Sequence, residues 1–240
     1  SSCETIRVSA HSAYPPYHWY DGEKFTGASI ESAKLIFEKL GVKFKFVHRG
    51  PWKRVLESAK DNTVDVILGL KNSTDRKRYL SFTEDHFYQN PFAVYAHKNT
   101  FHNYKGVDEL IGKKGILNLG DRFGDSFDKF IVDKLNVTRV KSMKQAFNLI
   151  LGGRFDYYVM GFFPASEFLS RNPNYSEIKS LEPFVNEDFI YHGFVKKSPC
   201  VKYIKEVSKA LAEQTRDGVI QKLIEKYQKI RKGESYDLFD

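Results

Sequence analysis

The chain has 240 residues, 41% hydrophobic and 15% aromatic, enough for one large domain or two ordinary lobes with ample core. No apolar run approaches the roughly 20 residues needed to cross a bilayer as a helix. The net charge of +8 raises nucleic acid as a partner, but the lysines are interleaved with acids, as in Glu31, Lys34, Glu38 and Lys39. The densest cluster, Lys222 to Lys232, falls on an amphipathic C-terminal helix and reads as a solvated face, so no nucleic acid is expected. The sequence opens at Ser1-Ser2-Cys3 as a trimmed or mature start would, and a signal peptide is expected to be absent or already removed.

Strand and helix patterns alternate along the chain. Ile6 to Ser9 reads as a short strand. Ser29 to Leu40 sets Ile30, Ala33, Ile36, Phe37 and Leu40 on one helical face and stops at Gly41. Val42 to Phe46 alternates with period two, as a half-buried strand does. Trp52 to Lys60 is helical with Val55, Leu56 and Ala59 inward. Val64-Asp65-Val66-Ile67-Leu68-Gly69 is then a buried parallel strand. Beyond it, Ser73 can cap a short helical turn that carries Arg76. That puts a guanidinium fork and free backbone N–H groups past a strand's carboxyl end, where open α/β sheets collect ligands. Both kinds of donor suit a carboxylate. The same pattern also fits a capped turn whose arginine pairs with a neighbouring acid.

The unit then recurs. Phe92 to Ala96 is a strand leading into the polar stretch His97 to Tyr104, and Gly115 to Leu119 is a strand ending at Gly120. Ser126 to Leu135 is a helix with Phe127, Phe130, Ile131 and Leu135 on one side; Val137 to Val140 alternates, and Met143 to Leu151 is helical. Phe155-Asp156-Tyr157-Tyr158-Val159-Met160-Gly161 echoes the run from Val64 to Gly69. Two copies of the same order imply two α/β lobes built from βαβ units. Phe189 to Val195 is a further strand, and the helical patterns from Val201 to Ile230 have no strand of their own and must pack on an earlier lobe. The chain is therefore expected to cross twice, with residues 1–95 and 194–240 in lobe 1 and residues 96–193 in lobe 2. Two antiparallel crossing strands make a hinge, and a hinge makes a cleft.

Only two cysteines occur, Cys3 and Cys200, with no Cys or His at ligand spacing beside either, so they offer no metal site. They are two buried thiols or one disulfide. The bridge is the expectation, since both positions border strongly patterned elements, and in an oxidising compartment it would stabilise by a few kcal/mol. The seven histidines show no metal-ligand spacing. His11, on the loop beside the first aromatic pair, either touches a ligand or is satisfied within its loop. No Gly-x-Ser-x-Gly elbow or Walker-type loop appears. Gly120-x-x-x-Gly124 is too loose for a dinucleotide fingerprint but can form an anion-binding turn. No catalysis and no cofactor is expected.

Several short motifs stand in a telling order: Ala13-Tyr14-Pro15-Pro16-Tyr17, Phe25-Thr26-Gly27, Pro51-Trp52-Lys53-Arg54, the Asp65…Gly69…Ser73-x-x-Arg76 block, and Phe82-Thr83-Glu84 followed by Tyr88. Together they resemble family 3 of the bacterial extracellular solute-binding proteins, the polar amino-acid receptors of ABC importers, over essentially the whole chain. The resemblance implies a type II periplasmic-binding fold: two lobes, each a central sheet flanked by helices, joined by a two-strand hinge. It implies that Tyr14 and Trp52 sandwich the ligand's side chain, that Gly69, Leu70 and Lys71 receive the ligand, and that Arg76 clamps its α-carboxylate. Leu70 and Lys71 replace the small hydroxyl residues common there. Asn118, Gly120, Asp121, Arg122 and Phe123 fall where the family offers Gly-Thr-Thr to the same carboxylate. Gly161 stands where an Asp takes the α-ammonium. An ammonium buried without that partner would lose several kcal/mol. Either Asp121 substitutes, with Arg122 or Lys71 aiding the carboxylate, or the ligand is not an α-amino acid; Lys71, Arg76 and Arg122 together suggest at least one anionic group.

The function so implied is a periplasmic or otherwise extracytoplasmic monomer. It binds one small carboxylate-bearing solute and hands it to the membrane permease of an ABC importer. A ligand-sensing module of a signalling receptor is the alternative. The fold also resembles cyclohexadienyl dehydratases, for which Asp121 is the one acid placed for general acid work.

Overall fold

A computed structural model describes residues 2–233. Residues 234–240, expected from the sequence to belong to lobe 1, lie outside the described residues. The chain opens with β1 (Thr5–Ala10) and three short strands, β2 (Ala13–Tyr14), β3 (His18–Tyr20) and β4 (Phe25–Thr26). Then come α1 (Ala28–Leu40), β5 (Lys43–Phe46), α2 (Trp52–Lys60) and β6 (Val66–Leu70). A 3-10 turn at Arg76–Arg78 leads to β7 (Leu80–Phe82) and β8 (Tyr88–His97). The second run is β9 (Lys114–Asn118), α3 (Asp125–Lys134), β10 (Asn136–Val140), α4 (Met143–Leu151), β11 (Tyr157–Gly161) and α5 (Phe162–Arg171). The long β12 (Ile178–Val195) and helices α6 (Ile204–Arg216) and α7 (Val219–Arg231) complete it.

The described residues form two compact units, residues 2–89 with 189–233, and residues 90–188. Both divisions come earlier than 95/96 and 193/194. They fall inside β8 and β12, which begin before the starts at Phe92 and Phe189 that the apolar pattern suggested.

In the first unit β1 pairs in parallel with β5 and β6, β12 joins β6 antiparallel, and β7 pairs with β12. The short β2, β3 and β4 make a separate antiparallel sheet. One face of the main sheet buries Ile67 and Leu70 with Val55 and Ala59 of α2. Helix α1 buries Ile30, Ala33, Ile36 and Phe37, the face read from its 3.6-residue period. Gly41, in the left-handed region, closes it. Helices α6 and α7 pack on α1 and on each other. Cys3 and Cys200 form a disulfide with Cα atoms 4.9 Å apart.

In the second unit β9 lies between β10 and β11, all parallel, and β8 runs antiparallel beside β11. Neighbouring residues serve opposite cores: Ala93, Tyr95, Ile116 and Tyr158 join α4 and α5, while Phe92, Val94, Leu117 and Tyr157 join α3. A Cβ on Gly115 would sit 2.2 Å from the Tyr157 ring, so that residue's bareness is what lets the tyrosine cross β9.

The echo seen in the sequence has one structural meaning in both units. Asp65 donates its N–H to the Arg7 carbonyl and accepts the Arg7 N–H on Oδ2, each at 2.8 Å. Asp156 makes the same pair with Lys114, at 2.8 and 2.7 Å. In each unit the aspartate just before the third parallel strand is thus pinned to the central one.

Candidate functional site

In the first unit the ends of β1 and β6 and the first turn of α2 assemble a cluster of side chains. Ser73 Oγ accepts the Arg76 N–H at 3.4 Å, so the serine caps the turn as its spacing suggested. Arg76 Nη1 donates to the Lys71 carbonyl at 3.2 Å, and the guanidinium lies over the Trp52 ring, 5.4 Å from its centroid. His11 sits 5.3 Å from Trp52 and 6.2 Å from Tyr14, ring to ring. The Asp75 carboxylate beside this turn pairs with Arg78 at 3.5 Å. Four of the expected residues, His11, Tyr14, Trp52 and Arg76, are therefore one connected group, with Lys71 joined through its backbone.

His11 accepts the Ala13 N–H on Nδ1 at 3.0 Å and keeps part of its surface in solvent. Its ring nevertheless sits deep enough among aromatics that desolvation holds its pKa down to about 4. It is neutral at pH 7. The positive charge seen against an aromatic face of the cluster is that of Arg76, over Trp52. A carboxylate on the guanidinium and a flat or apolar body against the rings is the chemistry such a group can perform.

Gly69 and Leu70 contribute differently. Leu70 is buried in the α2 core, so its side chain belongs to packing. Gly69 has φ +65°, and a Cβ there would lie 2.6 Å from His18 Cε1. Its N–H is committed to His192 Nδ1 at 3.1 Å. Neither histidine stands out in the sequence. His18 follows Tyr17 in the aromatic run, which is a weak local signal; nothing in the sequence links residue 192 to residue 69. Tyr14 stacks on Tyr17 and His18 at 5.6 and 5.9 Å, and Tyr17 meets Tyr88 at 5.7 Å.

The second unit places its expected residues around the end of β9. The side chain of Asn118 is used internally: Oδ1 accepts from the Tyr158 hydroxyl at 3.0 Å and Nδ2 points at Met160 Sδ, 3.4 Å away. Arg139 Nη1 caps the carbonyls of Asn118 and Asp121 at 2.8 and 3.2 Å. Gly120 is exposed, at φ +82°, and Arg122 is exposed. Asp121 lies near enough to Tyr158 to assist burial in pushing that hydroxyl's pKa far up. Phe123 is wholly buried against Phe92 and Phe127, and its N–H is taken by Asp128 Oδ1 at 2.9 Å. The start of α3 therefore already holds an anion of the protein's own, and Phe123 has no side-chain surface to offer. Gly161 is buried at the start of α5.

Two surface hollows are present, one between Phe82–Asp85 and α6, the other around Glu182–Asn186, where the Asn186 side chain donates to the Phe123 carbonyl. Among the described residues no His, Cys, Asp and Glu group could hold a metal ion, and no helix is long and apolar enough to cross a membrane.

Parallel three-stranded halves with ligand-type groups at their strand ends are the plan of periplasmic binding proteins, and comparison with known proteins agrees. The chain belongs to the bacterial extracellular solute-binding proteins, family 3, which residues 6–230 match. It is 26% identical to the probable amino-acid-binding protein YxeM of Bacillus subtilis, over 92% of this chain and 83% of that protein. It is 24% identical to the L-cystine-binding protein TcyJ of Escherichia coli, over 93% of this chain and 82% of the relative. Among solved structures it matches the probable amino-acid ABC transporter extracellular-binding protein ytmK from Bacillus subtilis with a TM-score of 0.78 at 21% identity, covering 93% and 97% of the two chains. The fold is the two-lobed α/β fold of periplasmic binding proteins, and the role at family level is solute binding.

Proposed function

We propose that this protein is an extracytoplasmic receptor that captures a small carboxylate-bearing solute, a polar amino acid or a related compound, and delivers it to the membrane permease of an ABC importer. The observation that carries this reading is the guanidinium of Arg76 laid over Trp52 at the carboxyl end of β6, continuous with His11 and Tyr14. In it, Arg76 takes the carboxylate and Lys71 adds positive potential. Tyr14 and Trp52 hold the body of the ligand, and His11, neutral, supplies a polar edge without a competing charge. Taken by itself, the second unit offers the exposed turn at Gly120 with Asp121 and Arg122 as its own candidate, beside the internally committed Asn118 and Phe123. With Gly161 carrying no acid, Asp121 is the carboxylate assigned to any ammonium on the ligand. The family's relatives include proteins named for amino-acid and L-cystine binding, which supports the substrate class.

A thermal-shift screen of amino acids, their keto and hydroxy acid analogues, dicarboxylates and small peptides tests the reading. A ligand at a hundred times its Kd stabilises by about 2.7 kcal/mol and raises the melting temperature clearly. Carboxylates should give the hits, and their amides or esters should not. Hits confined to compounds without a carboxylate would strip Arg76 of its part as the carboxylate clamp.

A further inference from the structure

Two histidines of the first unit, His18 and His192, are buried to 0% and 1% exposure and meet the same residue, Gly69, from different sides. Their tautomers follow from their partners. The Ser29 hydroxyl donates to the Tyr17 carbonyl at 3.0 Å, so its oxygen can only accept from His18 Nδ1, 2.9 Å away. His18 is then an Nδ1–H imidazole with a bare Nε2. His192 accepts the Gly69 N–H on Nδ1 and is therefore protonated on Nε2. Among the described residues, neither Nε2 has a hydrogen-bond partner.

The place where His192 sits is irregular. The ladder between β6 and β12 pairs Leu70 with Tyr191 and Ile67 with Gly193, so its register slips between Tyr191 and Gly193, at His192. Bulges of this kind re-aim a side chain. The backbone of His192 turns instead to Thr83, whose N–H donates to its carbonyl at 3.0 Å and whose hydroxyl accepts its N–H at 3.3 Å. The imidazole replaces the missing backbone acceptor for Gly69. From Gly69 the chain runs two residues to Lys71, whose carbonyl receives Arg76 Nη1.

We propose that His192 is a positioning residue for the Arg76 clamp: by holding the N–H of left-handed Gly69 it fixes the course of Leu70 and Lys71, and through the Lys71 carbonyl it fixes the guanidinium over Trp52. The importance of that guanidinium rests on the proposed function; the chain of contacts stands without a ligand. His18 fills the space that a side chain on Gly69 would need, which closes the alternative backbone paths. Only the neutral Nε2–H form of His192 can do this, because a proton on Nδ1 removes the acceptor.

The test uses the intact, unliganded protein. Long-range ¹⁵N–¹H spectra should show His192 as the Nε2–H tautomer and His18 as the Nδ1–H tautomer, with a scalar coupling between the Gly69 amide nitrogen and His192 Nδ1. Trp19 is buried, so acrylamide quenching reports on Trp52. His192→Leu should speed exchange of the Gly69 amide roughly tenfold and raise Trp52 quenching as far as Arg76→Ala does. His192→Asn, which returns an acceptor near the Nδ1 position, should restore both. A folded His192→Leu protein with faster Gly69 exchange but unchanged Trp52 quenching overturns the proposal. So does a wild-type spectrum lacking the coupling, which needs no variant at all. If these signals appear and no carboxylate binds, the positioning stands and only the ligand reading falls.

Discussion

The two units share a strand plan and an aspartate, yet they use the carboxyl ends of their strands in opposite ways. At the end of β6 in the first unit, polar side chains gather on the surface of a buried frame: Arg76 lies on Trp52, His11 bridges to Tyr14, and His18 and His192 brace Gly69 from behind. At the end of β9 in the second, polar groups are spent within the unit. Tyr158 and Met160 occupy Asn118, Arg139 caps two carbonyls, and Asp128 takes the Phe123 N–H. The difference teaches that repetition of a fold fixes where strand ends fall, while side-chain commitments decide how each of those ends is occupied. It also makes the first unit the more vulnerable, since its frame depends on buried imidazoles staying uncharged.

Acid is the sharpest way to separate the units. His192 is held down to about 3, and His18 well below its ordinary value, chiefly by burial. In the second unit, among the described residues, His97 is half-buried, His102 exposed, and no histidine is fully buried. A histidine whose pKa falls on folding leaves the unfolded chain to bind the proton first. Its contribution is therefore complete above about pH 6.5 and lost as pH drops toward the folded value. His192 costs about 1.4 kcal/mol per pH unit in that window, about 2 kcal/mol at pH 5, and His18 and His11 act in the same direction. Urea unfolding at pH 7 and pH 5 measures it, and His192→Asn should lower the slope without abolishing it, because His18 and His11 remain. A pH-independent stability between pH 7 and pH 5 would show that these imidazoles keep their ordinary pKa on folding.

The paired aspartates give the next largest contrast. Asp65 is 2% exposed and is held by the Arg7 side chain at 2.9 and 3.0 Å and by the Ser198 hydroxyl at 2.7 Å, besides the shared backbone bond. Burial alone would raise its pKa, but these donors outweigh it and the carboxyl lies below its usual range. Asp156, half-buried, accepts the Lys114 N–H at 2.7 Å as its counterpart of the backbone bond. Asp65→Ala should cost about 3 kcal/mol, the scale of breaking a buried pair, and Asp156→Ala about 1 kcal/mol. Equal losses in denaturant titrations would mean that the shared strand plan, rather than burial and charge, sets the value of this residue.

Much of this plan was readable in the sequence because period-two and 3.6-residue patterns survive wherever one face is buried, as in α1, α2, α4 and the run from Val64. What was not readable lacked a period. The β2, β3 and β4 strands are two or three residues long around Pro15 and Pro16, and α5 begins on Phe162-Phe163-Pro164. Only the last third of β12 showed as a strand, since its start, Ile178 to Asn186, is broken by Pro183 and charged residues. The first-unit cluster was legible through Arg76 and its aromatics. The imidazoles behind it were not, because contacts such as Gly69 to His192 join residues 123 positions apart through a bulge that no local pattern encodes.

If the first unit does the recognising, arginines in the two strand-end loops should differ in their effect on binding. For the carboxylate that scores highest in the thermal-shift screen, Arg76→Ala should weaken affinity about 30-fold or more, the loss of a charge-assisted pair. Arg122→Ala, exposed, should change it by less than about threefold. Titration calorimetry at fixed salt decides, and a larger effect at Arg122 would reverse the assignment of roles.

The smallest contrast concerns the helices that precede β6 and β11. Helix α4 begins at Ser142, whose hydroxyl accepts the Gln145 N–H at 3.2 Å while the Gln145 side chain accepts from the Lys141 N–H, also at 3.2 Å. This is close to a capping box. Helix α2 begins at Pro51, with no side-chain cap. Ser142→Ala should therefore cost about 1 kcal/mol. Pro51→Ser introduces a hydroxyl able to cap α2 but frees the unfolded chain at that position, an effect of about 0.4–1 kcal/mol in the other direction, so the two should nearly cancel. Amide exchange at Gln145 and at Arg54, each three residues past its cap, would follow both changes locally. A clear gain from Pro51→Ser would mean that proline's restriction of the unfolded chain counts for little beside a cap at this helix start.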